Sequence, residues 1–222
     1  LDPYDLVAVR LSDPGVTVAQ PRVFLSSTVA AELGRKVQAW GARTAALRNP
    51  PPLDVLENPG FEQVPRSEEP LPGWATTERA EVSVSPEETV AQSGKRSVHV
   101  MARDGWACLV SHPFEPPTSG RMLLTVWLKV ADPARQPTLR LALEGRLNGR
   151  TYYRYAEVGR VPGANQVVPI GTEWGRYDFP LYDLPLYGLS ELRVRVDLQG
   201  PGDVWVVDVA PYALIYTETE LR

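Results

Sequence analysis

Two stretches late in the chain alternate apolar and polar residues with a period of two. Leu139, Leu141 and Leu143 interleave with Thr138, Arg140, Ala142 and Glu144; Leu192, Val194, Val196 and Leu198 interleave with Arg193, Arg195 and Asp197. Successive side chains of a strand point to opposite faces, so each stretch reads as a strand with one apolar and one charged face. An apolar sheet face must be covered, and recurrence of the pattern points to two packed antiparallel sheets. The 22 prolines and 17 glycines are spread between short apolar runs, as many strands joined by turns require. Strands are expected at 81–85, 96–102, 107–114, 120–130, 138–147, 151–158, 175–181, 191–198 and 203–212.

The N-terminal part differs. From Ser27 to Leu47 there is no proline, and Val29, Leu33, Val37, Trp40, Thr44 and Leu47 recur at spacings of three and four. With Ser26, Ser27 and Thr28 ahead as caps, this predicts one amphipathic helix over about residues 27–48. Pro50, Pro51 and Pro52 end it, because proline lacks the amide that continues a helix and biases the residue before it toward extended backbone. Residues 5–11 and 16–25 read as two strands around the turn Asp13, Pro14, Gly15. Residues 1–52 are therefore expected to form a strand-plus-helix segment too small for its own core. It would pack on the main domain or be the tail of an upstream one. Residues 53–222 are expected to form one all-β antiparallel sandwich.

Charge narrows the partners. There are 23 Lys plus Arg against 27 Asp plus Glu, with no block of like charge, which argues against nucleic acid. No run of 18 apolar residues occurs, so no membrane span is expected, and the start lacks the basic and apolar regions of a signal peptide. A chain that begins at Leu1 reads as a piece of a larger polypeptide. The single cysteine, Cys108, sits in the run Trp106 to Val110 and is expected to be a buried structural thiol. It excludes a disulfide within the chain and leaves the compartment open.

Several short features occur in a particular order. Asn58, Pro59, Gly60, Phe61 and Glu62 come first, then Gly73 and Trp74, then Ser93, Gly94, Lys95, Arg96 and Ser97. A strand ending in Trp127, Leu128 and Lys129 follows, then Glu173, Trp174, Gly175, Arg176 and Tyr177, and the closing strand from Gly202 through Asp208 and Val209. This succession resembles the galactose-binding-like jelly-roll modules that bind carbohydrate and are often joined to glycoside hydrolases. It covers about Asn58 to Tyr216. The resemblance implies a non-catalytic, extracellular, periplasmic or cell-surface module with a polysaccharide or oligosaccharide as ligand and other domains of a parent protein as neighbours. The alternative is an architectural or protein-interaction jelly roll with no sugar ligand.

The resemblance also implies a structural calcium ion, with Glu62, the loop Ser93 to Lys95 and an aspartate of the closing strand as ligands. Here the closing strand departs from the pattern, with Val207 at the position of the usual first aspartate. Asp208 points to the other face of a regular strand and reaches the site only through a bulge.

Sugars stack their apolar faces on aromatic rings while planar polar groups bond their hydroxyls. The run Arg150, Thr151, Tyr152, Tyr153, Arg154, Tyr155 has that mixture. On a strand Tyr153 and Tyr155 share one face, and Tyr152 and Arg154 the other. Arg140, Glu144 and Arg146 lie on the polar face of the neighbouring strand, and Trp106 opens another strand after Asp104 and Gly105. The expected ligand-binding residues are Trp106, Tyr153, Tyr155, Arg154, Arg140 and Glu144; the expected calcium ligands are Glu62, Ser93, Lys95 and Asp208. Trp74, Trp127, Trp174 and Trp205 are assigned to the core or sandwich edge, and Tyr182 and Tyr187 to a proline-rich loop.

Enzymatic chemistry has little support. His99 and His112 form neither a metal spacing nor a triad, and no phosphate-binding glycine loop occurs. The pairs Glu68, Glu69 and Glu87, Glu88 lie beside prolines in expected loops, where solvated charge is the usual role.

Overall fold

The structure is a computed structural model that describes residues 26–77, 79–161 and 166–214. The strands expected at 5–11 and 16–25 lie outside the described residues. The chain divides into two units, Leu1–Asn49 and Pro50–Arg222.

In the first unit, helix α1 spans Ser27–Arg48. The Ser26 hydroxyl oxygen accepts from the Val29 amide at 3.3 Å, satisfying one of the donors that every helix start leaves without a partner. At the other end the Asn49 amide donates to the Ala45 carbonyl before the prolines begin. The apolar stripe is not a buried one: Val37 and Trp40 are 65% and 70% exposed.

The second unit is an all-β sandwich with eleven strands among the described residues. They are β1 (Trp74–Thr76), β2 (Val82–Glu87), β3 (Ser97–Ala102), β4 (Trp106–Ser111), β5 (Met122–Lys129), β6 (Thr138–Leu147), β7 (Arg150–Val161), β8 (Gln166–Val168), β9 (Gly175–Leu181), β10 (Leu189–Gln199) and β11 (Gly202–Ala213). One sheet has six strands in the order β1-β4-β10-β6-β7-β8, the other five in the order β2-β3-β11-β5-β9. All neighbours pair antiparallel. The three-residue strands β1 and β8 are too short to show any alternation in sequence. Strand β4 stops earlier than expected, since His112 and Pro113 follow and proline removes a ladder donor. Pro86 is accommodated because β2 is an edge strand.

The alternation does what it predicts. Leu139, Leu141 and Leu143 of β6 and Leu192, Val194, Val196 and Leu198 of β10 turn into the space between the sheets, all at most 1% exposed. Facing them are Val98 and Val100 of β3, Leu124, Val126 and Leu128 of β5 and Val204 and Val206 of β11. Fully burying each such side chain contributes about 1.5–3 kcal/mol. Phe61 and Trp74 close one end of this core, with ring centroids 5.2 Å apart. Trp127 and Trp174 pack against the core partly buried, and Trp205 stacks on His99 at 4.4 Å.

Candidate functional site

The opposite parity of the same strands builds the outer face of the six-stranded sheet. Register places Asp197 of β10 between Cys108 of β4 and Arg140 of β6, and Arg195 between Val110 and Ala142. Across β6 and β7, Glu144 lies opposite Tyr153, Ala142 opposite Tyr155 and Arg140 opposite Glu157. One face thus gathers Trp106, Arg140, Glu144, Tyr153 and Tyr155, five of the residues singled out from sequence. Arg154 does not join them. It points to the other side of β7, where Nη2 is 2.5 Å from Oδ2 of Asp183. That pair ties β7 to the loop carrying the exposed Tyr182 and Tyr187.

Two linked networks organise the face. In the first, the Arg140 guanidinium lies over both the Trp106 ring, at 4.8 Å, and the Tyr155 ring, at 4.5 Å, while its Nε donates to Glu157 at 3.2 Å. Trp106 stands on β4 and Tyr155 on β7, so a single cation bridges aromatic rings from opposite sides of the sheet's centre. Tyr155 remains 45% exposed. In the second, Arg195 donates from Nε and Nη2 to the Asp197 carboxylate at 3.0–3.2 Å, and from Nη1 to Glu144. The Tyr153 hydroxyl donates to Asp197 at 2.8 Å, and the Tyr153 and Tyr155 rings meet at 5.6 Å.

Burial and charge shift the groups of the second network. Burial works against the charge on Arg195, yet its hydrogen bonds to Asp197 and Glu144 outweigh it and raise its pKa above the ordinary range. Tyr153 is raised, first by burial and then because its hydroxyl donates to Asp197. Cys108 is raised by burial and by the nearby Asp197 charge. Its thiol is on this outer face, half-buried, with Arg195 Nη2 3.4 Å from Sγ, and not in the core as its apolar surroundings in sequence led us to expect.

Arg195, Asp197 and Glu157 are the residues that sequence reasoning missed. The polar parity of Arg193, Arg195 and Asp197 was visible, but their partners are Glu144 and Tyr153, which only strand pairing brings near.

The expected calcium ligands converge elsewhere, where the Phe61–Glu62 segment meets β11. Oε1 of Glu62 accepts from the amides of Lys95 and Arg96 at 2.8 and 2.9 Å, and the Ser93 hydroxyl donates to Asp208 at 2.6 Å. Asp208 reaches this place through the required bulge: the β11–β5 register shifts between Val207 and Ala210, and Asp208 has φ +50°. Val207 is fully buried, and its side chain carries no oxygen. Gly94 is required here. Its φ is +62°, and a Cβ on it would stand 2.3 Å from Glu62 Oε1. The donors fit a cation in part: two carboxylates lie here, each already accepting from the loop, Glu62 from the Lys95 and Arg96 amides and Asp208 from the Ser93 hydroxyl. Among the described residues no group of three or more His, Cys, Asp or Glu side chains forms a metal cluster. Calcium's six to eight oxygens would have to come mostly from backbone and water.

The fold defines a class: an antiparallel jelly-roll sandwich of the kind found in carbohydrate-binding modules. No family model matches the sequence, and no curated protein matches it. Solved structures do. The N-terminal family 22 carbohydrate-binding and catalytic modules of endo-1,4-β-D-xylanase 10B from Clostridium thermocellum, solved with xylohexaose, match with TM-score 0.53 and 15% identity over 72% of this chain and 29% of that one. The tandem family 22 modules of Paenibacillus barcinonensis Xyn10C match with TM-score 0.50 and 15% identity over 74% and 46%. One xylan-binding module of that protein alone matches with TM-score 0.49 and 16% identity over 74% and 97%. At 15% identity the first two matches establish a shared fold. No helix among the described residues is long and apolar enough to cross a membrane.

Proposed function

We propose that this chain is a non-catalytic carbohydrate-binding module, part of a larger exported protein, that takes its ligand on the outer face of the six-stranded sheet. The observation that carries the reading is the row Trp106, Arg140, Tyr155, Tyr153: exposed or half-exposed rings on an open sheet face, flanked by fixed hydrogen-bonding groups. A pyranose ring stacks its C–H face on Tyr155 and Trp106, while Arg195 and Glu144, already held in place by one another, meet its hydroxyls. Glu144 and Asp197 are bridged by one guanidinium, so a cation and not a sugar with its attacking water occupies the space between them. This favours binding without turnover. The fold likeness to the family 22 module structure solved with xylohexaose supports the same reading, with dissociation constants of roughly micromolar to millimolar.

Affinity electrophoresis and calorimetry across plant, algal and microbial polysaccharides test it. Tyr155→Ala and Trp106→Ala are expected to weaken binding about tenfold each, since an aromatic stacking contact is worth about 0.5–1.5 kcal/mol beyond its area. Their melting temperatures should stay unchanged. Absence of binding across the whole panel would leave an architectural sandwich and overturn the proposal.

The proposal includes a structural calcium ion held by Glu62, Asp208 and carbonyls of the Ser93 to Lys95 loop. Bound there, it would supply a cross-link between the Phe61–Glu62 segment and β11, a strand of the five-stranded sheet and not of the sheet that carries the ligand face.

A further inference from the structure

The charges of the ligand face are unequal in how they are used. Four arginines stand outward on β6 and β10: Arg140, Arg146, Arg193 and Arg195. They share the face with the carboxylates Glu144, Glu157 and Asp197. Each carboxylate is engaged. Glu157 accepts from Arg140, and Glu144 and Asp197 both accept from Arg195.

The arginines are not all engaged. Arg146 and Arg193 make no ion pair or hydrogen bond within the described residues, although Arg193 lies opposite Glu144 in register. Arg140 spends only Nε on Glu157. Among the described residues neither of its Nη groups has a protein acceptor, and its guanidinium carbon lies over two rings. The face is therefore cationic in its available hydrogen bonding, on a chain whose net charge is −4.

Arg140 and Arg146 are six residues apart on β6, which at strand rise separates them by about 20 Å. Arg193 stands between, on the adjacent strand. That is a line of guanidinium groups several sugar rings long, beside a stacking platform. Guanidinium forks match carboxylates bidentately and form stronger hydrogen bonds with them than with neutral hydroxyls.

From this we infer that the ligand is an acidic polysaccharide, a chain whose uronate carboxylates pair with Arg140, Arg193 and Arg146 while its rings stack on Tyr155 and Trp106. The inference rests on the sugar-binding reading above and narrows it to a substrate class.

The test compares glucuronoxylan, polygalacturonate and alginate with the same polymers after carboxyl reduction, using calorimetry on the full chain. Dextran sulfate serves as a polyanion without uronate. At least one uronate polymer should bind, and carboxyl reduction should weaken it about tenfold or more, as loss of a charge-assisted hydrogen bond implies. Raising salt from about 0.05 to about 0.5 M should weaken it too, because exposed charges are screened. Arg193→Ala and Arg146→Ala should lower affinity for the acidic form with melting temperature unchanged.

Equal binding of acidic and reduced polymers, or binding of neutral chains alone, overturns the inference and leaves the sugar-binding reading standing. Equal binding of dextran sulfate and the uronate polymer overturns it as mere polyanion attraction. Absence of binding to every polymer, acidic or neutral, removes both.

Discussion

Replacing Arg195 by Met keeps the length of the side chain and removes its charge and its donors. The loss falls unevenly on its two partners. Glu144 has a side chain 33% exposed and regains water. Asp197 is 5% exposed, so it stays out of solvent, with the Tyr153 hydroxyl still donating to it. Removing one partner from a buried charge pair costs about 3–5 kcal/mol; the rehydration of Glu144 and the retained Tyr153 bond place this variant at about 3 kcal/mol. For a domain of this size each kcal/mol moves the midpoint by about 2–4 °C, so Tm should fall by roughly 6–12 °C.

Urea titration gives the free energy, and the double variant Arg195→Met with Asp197→Leu gives the cause. If the cost is a stranded carboxylate, removing it should restore about half or more of the lost stability. A single-variant cost below about 1 kcal/mol would mean that the network behaves as a solvated surface pair. A double variant less stable than the single would mean that the arginine matters for packing alone. Either result refutes the reasoning.

Other consequences are as direct. Gly94→Ala should destabilise by about 2 kcal/mol or more in thermal melts, because its φ is +62° and the new methyl would enter the Glu62 carboxylate. Calcium at millimolar concentration should raise Tm by several degrees over a chelator-treated sample, and the rise should vanish in Asp208→Asn; an unchanged Tm removes the ion from the proposal. Cys108, Tyr152, Tyr153 and Tyr177 all titrate above their ordinary values of 9.0 and 10.0, chiefly through burial. A raised folded pKa stabilises fully below the unfolded value and is lost as pH climbs through the folded one. Tm should therefore hold up to about pH 8.5 and fall steadily above pH 9 to 10. Alkylation of Cys108 at pH 8 should be slower than that of a free thiol, since the reactive thiolate is disfavoured.

What the sequence makes legible follows from the range over which each signal acts. Parity along one strand is local, so the inward leucines of β6, the outward Arg140 and Glu144, and the separation of Tyr153 and Tyr155 from Tyr152 could all be read without a structure. The proline run after Leu47 marked the end of α1 for the same reason. Arg195 and Asp197 escaped because their significance lies in β6 and β7, some 40 to 50 residues away in sequence, and a charged side chain on an outward face looks solvated until its neighbours are known. Cys108 escaped because the apolar run around it is only half turned inward. Asp208 depended on a bulge, an event that one added residue in a register creates and no composition announces. Arg154 adjoins the tyrosines in sequence, and its own parity separates it from Tyr153 and Tyr155.

The order in which the strands are used has a consequence for the chain as it is synthesised. The strand at the middle of the ligand-bearing sheet, β10, and the strand at the middle of the other, β11, are the last two in sequence. Until Leu189 and the residues after it have left the ribosome, β4 has no neighbour joining it to β6, and β3 none joining it to β5. Both sheets wait in halves with unpaired edges, and a frameshift or truncation near Gly188 leaves four half-sheets in place of a shortened sandwich. A nascent chain stalled there should be open to protease along most of its length, whereas one released past Ala213 should close as a single event.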